Sequence, residues 1–462
     1  MPAIVTSQFR VLNAENFKAD VAADSVYVSI GKSDVWSLTT SDTTDTTPFT
    51  PNDHLDALGE ARGQMIAMKR IASADISHVV PRHTWTSGRT YVAWDSDDAS
   101  IFDKSFYIIT SEFKVYKCIE AGTGASSIQP TQTLTDPTAE SDGYKWKYMF
   151  TIGVSDAEKF LTNSYMPVKT VSLDFNTDAD AEAALTEADY AQYLNQKASR
   201  DSSTAQGIER IEVTAGGTSY SSDPTVTITG DGTGATATAV RTGTAVTSIT
   251  INNKGTNYTF ADITISGGGG SDATARAVIA PKAGHGVDPV SELGSFFISL
   301  NSKLDGNDGS DITVGNDFRQ IMLIKDPKVY NATPLAGAVA TATTLKAMKY
   351  LDTANTADVA NYQIDEVITG ATSGAKAFVV ELDTTNGYIY YYQNSKTGYT
   401  DFTAGENITG SASSATHALA SSGHVGNPEV DRGSGQVLFL ENRNPINRTA
   451  TQIEDIKVII EF

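Results

Sequence analysis

The chain has 462 residues, with 34 Lys and Arg against 55 Asp and Glu, so its formal charge is −21. That balance argues against a nucleic-acid-binding stripe, and 40% hydrophobic against 19% charged residues is too apolar for a disordered chain. No run approaches ~18 consecutive apolar residues, so no membrane insertion is expected. The lone Cys118 leaves no intrachain disulfide and no Cys-based zinc site. The first ten residues lack the charged and apolar regions of a signal peptide, which predicts synthesis and assembly in a cytoplasm. At roughly 150 residues per domain, two to four domains are expected. Abundant Thr, Ser, Gly and Ala with sparse Leu favour strands over helices.

In chain order, Ser25–Ile30 and Ser105–Ile109 are rich in β-branched and aromatic residues and read as strands. Between them Leu55, Leu58, Met65, Ile66 and Ile71 recur at three- and four-residue intervals after Pro51-Asn52-Asp53, which predicts one amphipathic helix. A second helix is predicted from about Asp178 to Lys197, with Ala181, Leu185, Ala188 and Leu194 on one face and acidic residues crowding its first turn. From Gly207 the chain repeats itself at a spacing of 38, Ile211 to Tyr220 returning as Ile249 to Tyr258, with Val226 to Gly230 answered at 37 by Ile263 to Gly267. Two copies of one β-unit imply a small duplicated all-β module. Phe318–Ile324 reads as a buried strand. A second Gly/Ser/Thr-rich stretch from about Asp352 to Gly426 echoes at a spacing of 40, Glu366-Val-Ile-Thr-Gly370 answering Glu406-Asn-Ile-Thr-Gly410; it is acidic, with only Lys376 and Lys396 in opposition. Val437–Leu440 and Ile456–Phe462 form a strand-pair candidate at the end.

Residue patterns that could carry chemistry each have a cheaper reading. Gly267–Asp272 fits the first six positions of a calcium-binding nonapeptide, but one unstacked copy supplies too few ligands, and a tight glycine turn is expected. Gly230-Asp-Gly232-Thr-Gly234 is followed by a strand-like alternation rather than by the helix a phosphate loop needs. His285, Asp288 and Glu292 are one His and two carboxylates, yet Pro289 breaks the spacing that would align them; Asp288 is expected to cap a turn with Pro289 at its first position. No Gly-x-Ser-x-Gly elbow precedes a helix, so nucleophilic catalysis is unsupported. Tyr388-Ile-Tyr390-Tyr391-Tyr392 is the densest aromatic cluster, read chiefly as packing or a protein interface, with sugar stacking as the alternative.

Several separate stretches resemble the baseplate wedge protein family of gene 8 in T4-type contractile-tailed bacteriophages. They are Ala3–Arg10, Val28–Ser37, Val79–Trp85, Tyr116–Cys118, Asp142–Phe150, Phe318–Ile321 and Glu441–Ile446, in family order. The resemblance covers roughly 1–170, 282–349 and 427–462 and leaves out the two repeat-bearing segments. It implies a mainly β (α+β), multidomain, β-sandwich-like frame with few helices: frame at 1–200, a duplicated β insert at 207–281, frame at 282–349, a second β insert at 350–426, and C-terminal frame strands at 427–462. It further implies a non-enzymatic virion subunit of the tail baseplate, without cofactor. Its partners would be other wedge subunits and a second copy in a homodimer, with neither nucleic acid nor membrane. Trp36, Trp85, Trp146 and Phe318 are the expected core or interface anchors. Arg82 and Arg443, near prolines, read as buried or interfacial bidentate donors to carboxylates or as solvated arginines. The alternatives are a carbohydrate-binding tail protein that recognises a host surface and, with too few repeats to support it, a β-helical polysaccharide lyase or hydrolase.

Overall fold

The computed structural model describes residues 4–37, 45–203, 206–305, 312, 314–449 and 452–462. Ala3, which heads the first resembling stretch, lies outside them. The fold is mainly β, built from antiparallel sheets; among the described residues the long helices are the N-terminal one, Ser7–Ala23, and Glu187–Ser202, and the others are short. The chain forms two compact units, one of residues 1–15, 77–299 and 459–462, the other of residues 16–76 and 300–458.

In the first unit, the strands Tyr107–Ile109, Lys114–Glu120, Lys145–Thr151 and Thr138–Ala139 form a sheet in that order. Alternation along these strands fills two cores. Ile108, Tyr116, Cys118, Trp146 and Tyr148 pack with Tyr91 and Tyr144 on one face, while Tyr107, Ile109, Val115 and Met149 join Val11, Val80, Met166 and Leu293 in the other. The predicted helix over 178–197 is two, Asp178–Ala184 and Glu187–Ser202. Thr177 and Thr186 each cap a helix start by accepting from the amides of Asp180 and Asp189, and the second cap interrupts what looked like one continuous face.

The first repeat forms a six-stranded sheet within this unit, in the order Thr225–Gly230, Ala261–Ser266, Ser271–Ile279, Ile208–Thr218, Ala245–Asn253, Thr236–Thr242. Its outermost strands also pack beside one another, so the sheet curls round on itself. Exchanging the two copies maps that ring onto itself, and each copy completes the other. A Cβ at Gly232 of the first copy would lie 2.4 Å from the ring of Tyr258 of the second. One at Gly270 of the second would lie 2.5 Å from the ring of Tyr220 of the first.

In the second unit, Met65–Arg70, Val26–Gly31, Asp317–Lys325 and Gln436–Asn447 form a sheet in that order. Asp317–Lys325 is buried on both faces, as its unbroken apolar run predicts. The helix expected from Leu55 to Ile71 stops at Gly63; Met65–Arg70 is a strand paired with Tyr27–Gly31, where Gly31 lets the backbone of Gln64 pass 2.9 Å from where a Cβ would stand. The two C-terminal strands belong to different sheets: Gln436–Asn447 lies beside Asp317–Lys325 and Ile453–Glu461 beside Phe297–Asp305, so the expected pair does not form. In the exposed strand Gln436–Asn447 the register is irregular where Pro445 falls, which blunts an open edge.

The second repeat also caps itself by exchange. Strands Val367–Gly370 and Asn407–Gly410 pair antiparallel about Thr369 and Thr409. Buried Glu366 accepts from the amides of Ala412 and Ser413 at 2.9 Å each, and Glu406 accepts from those of Thr372 and Ser373 at 2.8 and 2.9 Å. Each Glu therefore holds the turn of the other copy.

Candidate functional site

The six residues singled out from the sequence fall into two groups, one in each unit. In the first unit, Trp146 is fully buried, stacked on Tyr144 at 5.7 Å and edge-on to Tyr91 at 5.6 Å. Trp85 packs against the same cluster half-buried, its indole N–H donating to Ser126 Oγ at 3.2 Å. Arg82 is half-buried and donates to the Thr162 carbonyl at 2.9 Å and the Thr84 hydroxyl at 3.1 Å, so its partners are neutral oxygens rather than a carboxylate.

In the second unit, Phe318 is fully buried and pairs with Ile446 across the sheet. Trp36 is buried, edge-on to Phe49 at 5.9 Å, and its indole N–H donates to the Arg443 carbonyl at 2.9 Å. The Arg443 side chain is exposed and approaches Glu441 through one nitrogen only, at 3.8 Å. The backbone of Arg443 thus belongs to the Trp36 packing while its guanidinium faces water.

Two buried charge clusters went unread in the sequence. In the first unit, Lys117 and Lys147 stand directly opposite each other on neighbouring strands, both buried. Like charges in that position repel, and Glu292 answers them. Its Oε2 accepts from Lys117 at 2.8 Å, and its Oε1 from the amides of Gly286, Val287 and Asp288 at 2.7, 3.0 and 3.2 Å. Burial pushes the amines of both lysines down, that of Lys147 to about 8. His285 sits between Glu209 at 3.7 Å and Glu292 at 3.8 Å on opposite ring nitrogens, and burial with the surrounding cations keeps it neutral. Asp288 does cap the turn Pro289–Glu292, accepting from the Ser291 amide at 3.3 Å. The cap expected of Asp288 therefore forms, while His285 and Glu292 belong to the ion cluster. Among the described residues no group of three or more His, Cys, Asp or Glu is arranged to hold a metal ion.

In the second unit, buried Asp34 accepts from Tyr392 Oη at 2.6 Å and pairs with Lys396 at 2.5 Å and Lys32 at 3.1 Å. Burial pushes its carboxyl up, but the two lysines and the Tyr392 hydroxyl outweigh that and hold it below the usual range. Beside it Arg319 bridges Asp45 at 2.7 Å and Asp317 at 3.0 Å. Asp365 is different: the residue is exposed at the surface, yet partial desolvation of its carboxyl, with Asp317 and Asp34 nearby, raises it from 3.8 to about 6 against the opposing pull of Arg319. Its folded pKa lies above its unfolded value, so its contribution is favourable at low pH and is lost as pH rises through about 6. Asp365→Asn should raise the melting temperature at pH 7.5, by the equivalent of roughly 1 kcal/mol after solvent screening, and leave it unchanged at pH 3.5; a gain of equal size at both values would mean that charge is not the cause.

The tyrosine cluster is closed on itself. Tyr388 stacks on Tyr350 at 4.2 Å, the Lys346 ammonium covers Tyr390 at 4.3 Å, and Tyr391 and Tyr392 are buried. These contacts give the cluster a packing role, with Tyr388 and Tyr390 still half-buried. The glycine turns are likewise packed around Tyr220 and Tyr258.

These features define a mainly β protein whose large aromatic side chains and buried ion pairs serve packing. The model of the family described as Bacteriophage T4, Gp8 matches residues 3–125. The resemblance read from the sequence, to a baseplate wedge protein, is carried over that stretch, which includes Trp36, Arg82 and Trp85. Among curated proteins none matches the chain.

Proposed function

We propose that this protein is a structural subunit of the baseplate wedge of a contractile-tailed bacteriophage, connecting neighbouring wedge proteins during tail assembly and contraction, and that it acts as a homodimer. The observation that carries this reading is the family match over residues 3–125. Two features support it. The resembling stretches outside the match, Asp142–Phe150, Phe318–Ile321 and Glu441–Ile446, all fall on sheet strands or their immediate flanks. The buried charges Lys117, Glu292, Asp34 and Arg319 each have an internal partner of opposite sign, as suits a rigid part that works through its surfaces. Trp85, half-buried, and Arg443, exposed, are the interface anchors in this reading, while Trp36, Trp146 and Phe318 hold the frame.

Immunogold labelling of intact virions tests it. Gold confined to the distal end of a contractile tail is the expected result. Labelling along fibres would point instead to a host-recognition protein, and no labelling of any particle would remove the virion assignment.

A further inference from the structure

We propose that Lys117 and Glu292 are a self-condensing pair, whose side chains join as an intramolecular amide after the chain has folded. The inference is independent of the wedge reading. Lys117 Nζ lies 2.8 Å from Glu292 Oε2, with the two side chains 0% and 4% exposed, and the Trp94 ring covers the ammonium at 3.9 Å. Two ions held away from water are costly even when they meet, and Lys147, directly opposite Lys117, adds like-charge repulsion. Condensation replaces both ions by one neutral amide and removes both costs.

Buried ion pairs are ordinary; what sets this one apart is the arrangement around the carboxyl carbon. Oε1 of Glu292 accepts from the amides of Gly286, Val287 and Asp288 at 2.7, 3.0 and 3.2 Å, the kind of donor set that holds the oxyanion of a tetrahedral intermediate. Gly286 makes the turn possible: its φ is +90°, and a Cβ there would meet Lys147 Cε at 2.8 Å. On the other oxygen, His285 Nδ1 stands 3.8 Å from Oε2, and neither ring nitrogen of His285 makes a hydrogen bond. Its Nε2 faces Glu209 at 3.7 Å, a carboxylate placed to balance an imidazolium during proton transfer. Burial lowers the Lys117 amine and so favours its neutral, nucleophilic form. The Asp34 cluster lacks this arrangement: its carboxyl accepts from Lys32, Asn394 and Tyr392 Oη and, among the described residues, from no backbone amide, so it should stay ionic.

The chemistry balances without a co-reactant. The ion pair is the state of the newly folded chain. One ammonium proton passes to Oε2, the freed Nζ lone pair attacks Cδ, and the carbonyl electrons move to Oε1, where the three amides hold them. His285 relays the second nitrogen proton to Oε2, the Cδ–Oε2 bond breaks, and water leaves as the carbonyl at Oε1 re-forms. The new bond ties the strand Lys114–Glu120 to the turn Pro289–Glu292 and closes a loop that contains the whole first repeat. A chain with one cysteine can form no internal disulfide, and an amide is a crosslink that reductants leave intact.

The test follows the purified full chain by intact mass spectrometry during incubation at physiological temperature. A species lighter by one water should accumulate until it dominates, run faster on a reducing, denaturing gel, and yield on digestion a branched peptide joining Lys117 to Glu292. Lys117→Arg keeps the positive charge but cannot form this amide, and should retain the full mass. His285→Phe should slow the change by about a hundredfold without redirecting it; an unchanged rate would overturn the relay assigned to His285. A wild-type chain that keeps its full mass overturns the proposal. So does a water loss that maps elsewhere, whether to Asp34 with Lys396 or to a succinimide at an Asp-Gly step such as Asp231-Gly232. Should either variant misfold, the wild-type mass and the branched peptide decide.

Discussion

Lys117→Met should lower the stability of the protein by about 3–5 kcal/mol, because it leaves Glu292 as a buried carboxylate without its cation. The partner amides of Gly286, Val287 and Asp288 remain, but they supply dipoles rather than a charge. Lys147 does not replace the lost ammonium: its Nζ donates to the Thr135 carbonyl at 2.6 Å and to Ser199 Oγ at 2.9 Å. Adding Glu292→Gln should recover most of the loss, since a glutamine oxygen can still accept from the three amides and no unpaired charge stays behind. Trp94 is a direct reporter, with the Lys117 ammonium 3.9 Å above its ring. Guanidinium unfolding followed by tryptophan fluorescence would read both variants, and a midpoint unmoved by Lys117→Met would show that water reaches Glu292.

These lysines illustrate what the sequence did not disclose. In Val115-Tyr-Lys-Cys-Ile119 and Trp146-Lys-Tyr-Met-Phe150 the charged residue looks like the solvent face of a half-buried strand, yet both faces of that sheet are covered. The available signal was a single Lys set among apolar residues on each of two strands; which strands pair, and that Glu292 comes from 175 positions away, are tertiary facts. The strands Val26–Gly31, Tyr107–Ile109 and Asp317–Lys325 were legible because their apolar runs have no helical alternative. Met65-Ile-Ala-Met68 continued the helical spacing of Leu55 and Leu58, and only its pairing with Tyr27–Gly31 makes it a strand. The N-terminal helix was unread because its apolar residues lie on two faces, so no single stripe stands out. Of the candidate anchors, Trp146 and Phe318 are as buried as their size predicts, whereas the environments of Arg82 and Arg443 depend on loop carbonyls and exposure that no local pattern encodes.

Tyr258→Ala should destabilise the first repeat by about 3–5 kcal/mol, the range for truncating a large buried aromatic, and Tyr220→Ala should cost about the same because the two rings hold equivalent places. Beneath this lies the reason for both glycine motifs. Gly230-Asp-Gly232 looks like a phosphate cradle and Gly267–Asp272 like a calcium turn, but each passes across the tyrosine of the opposite copy at a distance no Cβ tolerates. Gly232→Ala therefore costs about 1–3 kcal/mol by overpacking, with no contribution from backbone strain, since Gly232 is not among the positive-φ glycines. In the Tyr258→Ala background that cost should fall but not vanish, because the Thr256 carbonyl would still stand 2.6 Å from the added carbon. The coupling between the two changes, read from the four melting curves of the cycle, measures ring against backbone contact. Strict additivity would mean that the ring does not shape the loop, and the need for glycine would then lie with Thr256 alone.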